Sequence, residues 1–509
     1  MLNRLTKHQD WLFAGLAALY TALFVIVADG GFPLDDSWIH QGYGRNLALR
    51  GEWSLIAGQP SAASTAPLYT VLLAIGYLLR IPYTVWPHIL GAFALALIGV
   101  SGARLATRLL PSSKYAGLLT GVLLVSVWQL VWAAASGMET ALSAMWTLLL
   151  PWLAWRESDG ARIRTTWATL CRGVVFGILG ALAILTRPEA VLIVGLSGLA
   201  LLITLPGGLR ATSLWVLGAL LGFCVFITPY LWLNLTLAGG LLPNTSAAKQ
   251  VQHLPLLTRP YSSRYWDLTE RLFIGGQIFL IPGIIVFLFR LRPFRQHAFA
   301  WVLLLWPLGL LAAYAARLPA TYQHGRYVMP AIPALVVMGV CGTLVLLEMG
   351  RRYTWSRVLT RVLAASAFMG IIAMLLGLGP GIYARDVAVI DQEMVAAAAW
   401  IDANIPTDEL MAIHDIGAVA YFTPRTLLDI AGLVSPEAIP YINDPEGMWH
   451  LIESRDAAYL MAFPDQIPGD DPTDERLCEV FTTNGQAAQD LNAANMTIYA
   501  LSWGGECSR

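Results

Sequence analysis

The sequence predicts a polytopic α-helical membrane protein with a C-terminal α/β domain, and three observations carry that prediction. Of 509 residues, 57% are hydrophobic and 13% charged. Apolar runs near twenty residues, the length that crosses about 30 Å of hydrocarbon, recur from Trp11 to about Gly379. The net charge of −1 conceals a split, since residues 1–379 hold 27 Lys and Arg against 12 Asp and Glu, while residues 380–509 hold 5 against 21. A membrane part (1–379) and an acidic, soluble part (380–509) follow from that division.

The first apolar segment, about 11–29, comes after Arg4 and Lys7 and is not followed by a small-x-small cleavage site, so it is expected to stay as an uncleaved helix. Short cytoplasmic loops are enriched in Lys and Arg. Five clusters therefore orient the chain: Arg4 and Lys7; Arg104, Arg108 and Lys114; Arg156, Arg162, Arg164 and Arg172; Arg290, Arg292 and Arg295; Arg351, Arg352, Arg357 and Arg361. All five face the cytoplasm only if Ala66–Leu79 does not cross, and that short stretch is expected as an interfacial or re-entrant helix. About eleven spans remain, near 11–29, 84–103, 115–134, 138–155, 171–186, 188–205, 212–237, 272–289, 298–316, 327–347 and 361–379. An odd number sets a cytoplasmic N-terminus against an extracytoplasmic tail, in a plasma (inner) membrane protein.

In the tail, Val387–Ala403 has helical spacing. Leu410–His414, Thr426–Asp429, Ala458–Phe463, Cys478–Thr482 and Met496–Leu501 read as short strands between turn residues. Cys171, Cys224 and Cys341 fall in or beside apolar runs, and no Cys/His cluster suggests a structural metal. Cys478 and Cys507 both lie in the tail, where an oxidising compartment would let them pair. No basic patch with interleaved aromatics recommends nucleic acid.

The predicted topology gathers polar groups on the outer side. Asp35 and Asp36 begin a first outer segment, 30–83, and precede an amphipathic stretch from Trp38 to Leu47 suited to the membrane interface. Trp38, Trp53, Trp86, Trp132 and Tyr265 fit an interfacial aromatic belt. Other outer segments hold Glu139, Arg187, Lys249, His324, Arg326 and Tyr327. An enzyme on that face has no nucleotide sugar to hand, so an activated group must arrive on a lipid carrier whose phosphate leaves. Such a site needs a carboxylate base, cations for the phosphate and a greasy groove. Asp35 and Asp36 are the candidate base pair, Asp35 slightly ahead, their mutual repulsion and membrane-edge desolvation raising one pKa. They also suit N-capping of a helix that begins at Ser37. Lys249, Arg326, Arg187 and His324, with Tyr327, are candidate phosphate ligands; each alone reads more readily as an interfacial snorkeler, and Arg326, at a helix start between His324 and Tyr327, is the best placed for phosphate. Glu139 is a supporting or acceptor-binding acid, or a favourable charge at a helix start. A divalent metal between the aspartates would find no identifiable third oxygen ligand.

A family resemblance rests on six motifs in order. They are Leu34-Asp35-Asp36; Ser136-Gly137-Met138-Glu139-Thr140; Leu185-Thr186-Arg187-Pro188-Glu189; Leu241-Leu242-Pro243-Asn244-Thr245 with Lys249; Arg326-Tyr327 with Pro330; and Asp415-Ile416-Gly417-Ala418 followed by Asp429-Ile430-Ala431-Gly432-Leu433. Together they resemble the GT-C glycosyltransferases that use polyprenyl-phosphate sugars, and among these the subgroup of the mycobacterial terminal arabinofuranosyltransferase. Met138 and the small residues Thr245-Ser246-Ala247-Ala248 depart from that pattern. The resemblance implies inverting transfer of a pentose or hexose from a polyprenyl-phosphate donor to a glycan or protein acceptor, with Asp35 as base and no required cofactor. A transporter or flippase of lipid-linked glycans is the alternative. It calls for repeated halves and charges deep inside several spans, and the sequence displays neither.

Overall fold

The structure is a computed structural model that describes residues 2–159, 165–204, 208–291, 297–423 and 425–503. The expected Cys478–Cys507 pairing falls outside the described residues, as do the topogenic Arg162, Arg164, Arg292 and Arg295. The chain forms two compact units: Met1–Phe24, His88–Tyr230 and Leu256–Pro380 make the first, and Val25–Pro87, Leu231–Pro255 and Gly381–Arg509 the second.

The first unit is helical. Across the described residues of the whole chain, 7 helices are long and apolar enough to cross a membrane, or 9 if each of two bent pairs is one span. This is a membrane protein, with fewer full spans than the eleven expected. One expected segment breaks, and another begins at a bend. Val127 leaves the helical region between Ala116–Ser126 and Trp128–Ala135, which meet at 56°. Gly275, at φ 113°, precedes the second half of a pair bent by 101°. Two others are the helix Thr140–Asp159 and Ala190–Thr204, the latter only 15 residues long. Close helix packing in this unit relies on small residues, as expected where lipid removes the hydrophobic drive between helices. A Cβ on Gly342, in Ile332–Met349, would stand 1.8 Å from the carbonyl oxygen of Gly283, in Ile281–Arg290.

The second unit is built from three stretches of chain. A two-stranded ribbon, β1 (Ser54–Ile56) with β2 (Gln59–Pro60), follows the helix Asp35–Arg50. The helix Pro67–Leu78 has 12 residues, about 18 Å at the usual rise, well short of a span. The tail contributes β3 (Met411–Ile413), β4 (Leu427–Asp429), β5 (Tyr459–Ala462), β6 (Leu477–Thr482) and β7 (Thr497–Leu501). Their order is β4-β3-β5-β7-β6, with β3 parallel to both β4 and β5, and β7 antiparallel to β5 and β6. The helix expected at Val387–Ala403 is interrupted by a π-turn at Asp391–Val395.

One core of this unit packs Phe32, Trp38 and Tyr43 with Met411, Ile413, Val419 and Ile498. The helix Asp35–Arg50 is therefore not interfacial: every residue from Ser37 to Gly44 is buried. Trp38, at 3% exposure, belongs to that core and not to an aromatic belt, and it packs against the rings of Phe32, Tyr83, Tyr421 and Phe422. Trp132, in the first unit, is likewise fully buried.

Candidate active site

Asp35 and Asp36 open the helix Asp35–Arg50, with Leu34 at the N-cap position making no side-chain cap. The acidic pair thus sits in the first turn and does not cap a helix starting at Ser37. Negative charge there is favoured by the helix dipole. Both Asp35 oxygens are held by main chain, since Gly417 N–H donates to Oδ2 at 2.6 Å and Ala418 N–H to Oδ1 at 2.8 Å. A side chain at position 417 is excluded because its Cβ would lie 2.2 Å from the Asp35 carbonyl oxygen and 2.6 Å from Oδ2. Tyr421, on the same short helix Gly417–Phe422, fixes the arrangement further: its carbonyl accepts from Arg45 Nη1 at 2.8 Å, and its hydroxyl lies 3.0 Å from that of Tyr77.

A second carboxylate, Asp415, shapes the electrostatics. Gln466 Nε2 donates to its Oδ2 at 2.9 Å, and His414 Nδ1 lies 3.4 Å from its Oδ1. Burial first, and then the charge of Asp415, push the Asp35 carboxyl above the usual carboxylate range against the pull of the two N–H donors. Asp415 moves the other way. Burial raises it, but the His414 hydrogen bond and charge, the Gln466 hydrogen bond and the charge of Lys249 together bring it below its ordinary value. Asp415 therefore favours its charged form and Asp35 its protonated form.

Lys249 rides on the helix Asn244–Gln252, whose start is pinned by Asn244 N–H to the Ala62 carbonyl (2.9 Å) and Thr245 Oγ1 to the Ala63 carbonyl (2.6 Å). Its Nζ donates to Gln252 Oε1 at 3.3 Å. One of the small residues after Asn244 has a packing reason: Ala248 is fully buried beside Gly432.

The other predicted residues meet in the first unit. Arg187, just past the helix Thr166–Thr186, donates from Nη1 to Glu139 Oε1 and from Nε to Glu189 Oε1, each at 2.5 Å, and from Nη2 to the Tyr314 hydroxyl at 3.2 Å. The Tyr314 hydroxyl donates in turn to Glu189 Oε1 at 2.8 Å. Burial opposes the Arg187 charge, but Glu189 foremost, and Glu139 with it, hold the guanidinium firmly charged. Arg187 and Arg326 both lie over the Tyr327 ring, at 5.2 and 4.9 Å from its centroid. Arg326 Nη2 also donates to the Tyr327 hydroxyl at 3.1 Å. Before it, Gln323, His324 and Gly325 all have positive φ, 51°, 59° and 72°. This left-handed turn costs non-glycine residues about 1–2 kcal/mol each, and it delivers His324 edge-on to Trp128 and Trp132 at 5.3 and 5.4 Å.

The structure thus places Asp35, Asp36 and Lys249 in one unit and Glu139, Arg187, His324, Arg326 and Tyr327 in the other. Sequence reasoning missed Asp415, Gln466, Glu189 and Tyr314 as site residues. Asp415 and Glu189 stand inside motifs quoted for the resemblance, so a signal existed. Gln466 and Tyr314 carry none. Asp429 of the last motif is structural, fully buried and accepting from the N–H groups of Ala431 and Val434.

A family model described as a domain of unknown function (DUF8728) matches residues 385–500. No curated protein matches the chain significantly. Among solved structures, the oligosaccharyltransferase of Archaeoglobus fulgidus, in a complex with zinc and sulfate, is similar at TM-score 0.59 and 12% identity, over 92% of this chain and 71% of that one. The same protein is known with an inhibitory peptide and a dolichol-phosphate. ArnT from Cupriavidus metallidurans is similar at TM-score 0.55 and 12% identity, over 97% of this chain and 98% of its own, and is also known bound to undecaprenyl phosphate. The mycobacterial arabinofuranosyltransferase AftD gives TM-score 0.51 and 14% identity, over 97% of this chain and 40% of AftD. The chain shares its overall fold with these three proteins.

Proposed function

We propose that this chain is an inverting glycosyltransferase that moves a sugar from a polyprenyl-phosphate donor to an extracytoplasmic glycan or protein acceptor. The observation that carries the reading is Asp35, a carboxyl of raised pKa whose oxygens are aimed by the Gly417 and Ala418 N–H groups beside charged Asp415. Asp35 takes the proton of the acceptor hydroxyl. That oxygen forms a bond to the anomeric carbon from the face opposite the carrier, and the bond to the phosphate oxygen breaks, its electron pair leaving with polyprenyl phosphate. Asp36 orients the acceptor. Lys249, in the same unit as Asp35, neutralises the departing phosphate as a point charge, and the motif resemblance alone assigns Arg326 and His324 to that phosphate. Arg187 acts through others: pinned by Glu139 and Glu189, it holds Tyr327 and so the direction of Arg326. Only these side chains are needed for the chemistry, and no cofactor is called for.

The known complexes of fold neighbours with dolichol-phosphate and undecaprenyl phosphate support a lipid-phosphate donor. The motif resemblance and the AftD likeness support a pentose such as arabinofuranose. The test is transfer by the full-length protein in lipid nanodiscs, supplied with polyprenyl-phosphate pentoses and hexoses. Wild-type protein transfers one of them, and Asp35→Ala and Asp36→Ala abolish transfer while elution and thermal unfolding stay as in wild type. Full activity in both variants sinks the reading.

A further inference from the structure

The soluble sheet of the second unit has a cavity that the proposed reaction does not use. In chain order β3 is followed by β4 on one side, and the chain then crosses back to place β5 on the other. The carboxyl ends of three parallel strands so surround a topological switch point, between β3 and β5, where open α/β sheets bind ligands. A cavity of about 470 Å³ lies there, lined by residues of the segments after those strands, with His414 next after β3, Ile430 next after β4 and Gln466 in the turn that follows β5. Its size suits a small-molecule or oligosaccharide fragment.

The lining specifies the chemistry of the occupant. Tyr441, Asn443, Asp465 and Gln252 complete the polar wall, and neither Lys nor Arg lines the cavity. Lys249 Nζ reaches the lining Gln252 at 3.3 Å, but the lining itself carries Asp465 and Asp470 and no Lys or Arg, which disfavours phosphate, nucleotide and lipid phosphate as occupants. Amide and imidazole groups that both donate and accept match hydroxyls, and the half-exposed Tyr441 ring offers a face for a sugar to stack on. The cavity also shares a wall with the catalytic carboxylates. Gln466 and His414 line it and are the same two side chains that engage Asp415, whose charge is felt by Asp35.

We infer that this cavity is an acceptor subsite: it binds the neutral, non-reacting sugars of the acceptor glycan and, through the Gln466 and His414 wall, registers the chain beside Asp35. The inference rests on the transferase reading above. Full-length protein in nanodiscs is titrated with neutral di- to hexasaccharides of arabinose, mannose and glucose, with inorganic phosphate and AMP as anionic comparators, by saturation-transfer NMR. At least one neutral series binds, and neither anion competes. Tyr441→Ala and Asp465→Lys weaken that binding by about tenfold or more and raise the acceptor KM alike, with kcat and donor KM held. Tyr441→Trp restores both, which a merely structural role for Tyr441 does not predict. Competition by phosphate or AMP, or unchanged oligosaccharide binding and acceptor KM in the Ala and Lys variants of an active enzyme, overturns the subsite and leaves the transferase reading intact. Tyr441-dependent oligosaccharide binding by a protein that transfers no sugar overturns the transferase reading instead.

Discussion

At the scale of single residues, the arrangement turns on how one carboxylate is held. Asp35 is aimed by two main-chain N–H groups, so the residue that matters beside it is the one that lacks a side chain. Gly417→Ala puts a methyl group where the Asp35 carboxylate and carbonyl stand. It is expected to cut kcat by about 100-fold, the usual consequence of a 1 Å misplacement at a reacting centre, with little change in donor KM; steady-state kinetics in nanodiscs read this out. The charge of Asp415 gives a second expectation. Because burial and Asp415 raise Asp35, the base form appears only as pH rises through a value above the ordinary carboxylate range. Transfer therefore climbs along an acidic limb displaced upward in pH, and Asp415→Asn moves that limb to lower pH by removing the like charge. A pH profile of kcat/KM for the two proteins checks the direction. The acidic pair itself was legible in sequence because charge is scarce around it. Its partners were not, for Gly417 and Ala418 act through N–H groups that every non-proline residue carries, and nothing local announces that positions 35 and 417 meet.

Among elements, two interactions join helices within the first unit. The guanidinium of Arg187 satisfies Glu139, at 1% side-chain exposure, and Glu189 together. Removing it leaves buried carboxylates uncompensated, so Arg187→Met is expected to lose about 3–5 kcal/mol, seen as a lower unfolding temperature in detergent. A pure phosphate clamp would lose activity without that loss. Gly342 lies against Gly283, and Gly342→Leu is expected to cost at least about 1–3 kcal/mol of overpacking and to lower the folded yield on size-exclusion chromatography. Element existence was readable from apolar length and strand alternation, and all five tail strands lie where alternation and turn residues put them. The break at Val127 was not readable, because hydropathy averages over a window and cannot register a backbone turn inside an apolar run; the bend at Gly275 instead joins the polar helix Tyr261–Arg271 to an apolar one. The burial of Trp38 escaped for a related reason: an amphipathic ring beside a membrane helix reads the same whether lipid or a distant strand covers it.

Considering the whole molecule, the second unit draws its core from the first loop as well as from the tail. Trp38 and Phe32 share that core with Met411, Ile413 and Val419. A chain ending at Pro380 is expected to lose transfer completely, and residues 381–509 expressed alone are expected to expose Tyr421 and Phe422 and to aggregate or fall to limited proteolysis. A stable, monomeric fragment 381–509 would contradict this description of the core.

The three-stretch construction of that unit also sets an order of events during synthesis. The loop with Asp35 emerges early, and the first of its covering strands, β3 at Met411–Ile413, about 375 residues later, an interval of about 20–75 s at ordinary elongation rates. Through that interval Phe32, Trp38 and Tyr43 have no partner from the tail. The core of this unit becomes complete only when the last strands have been made.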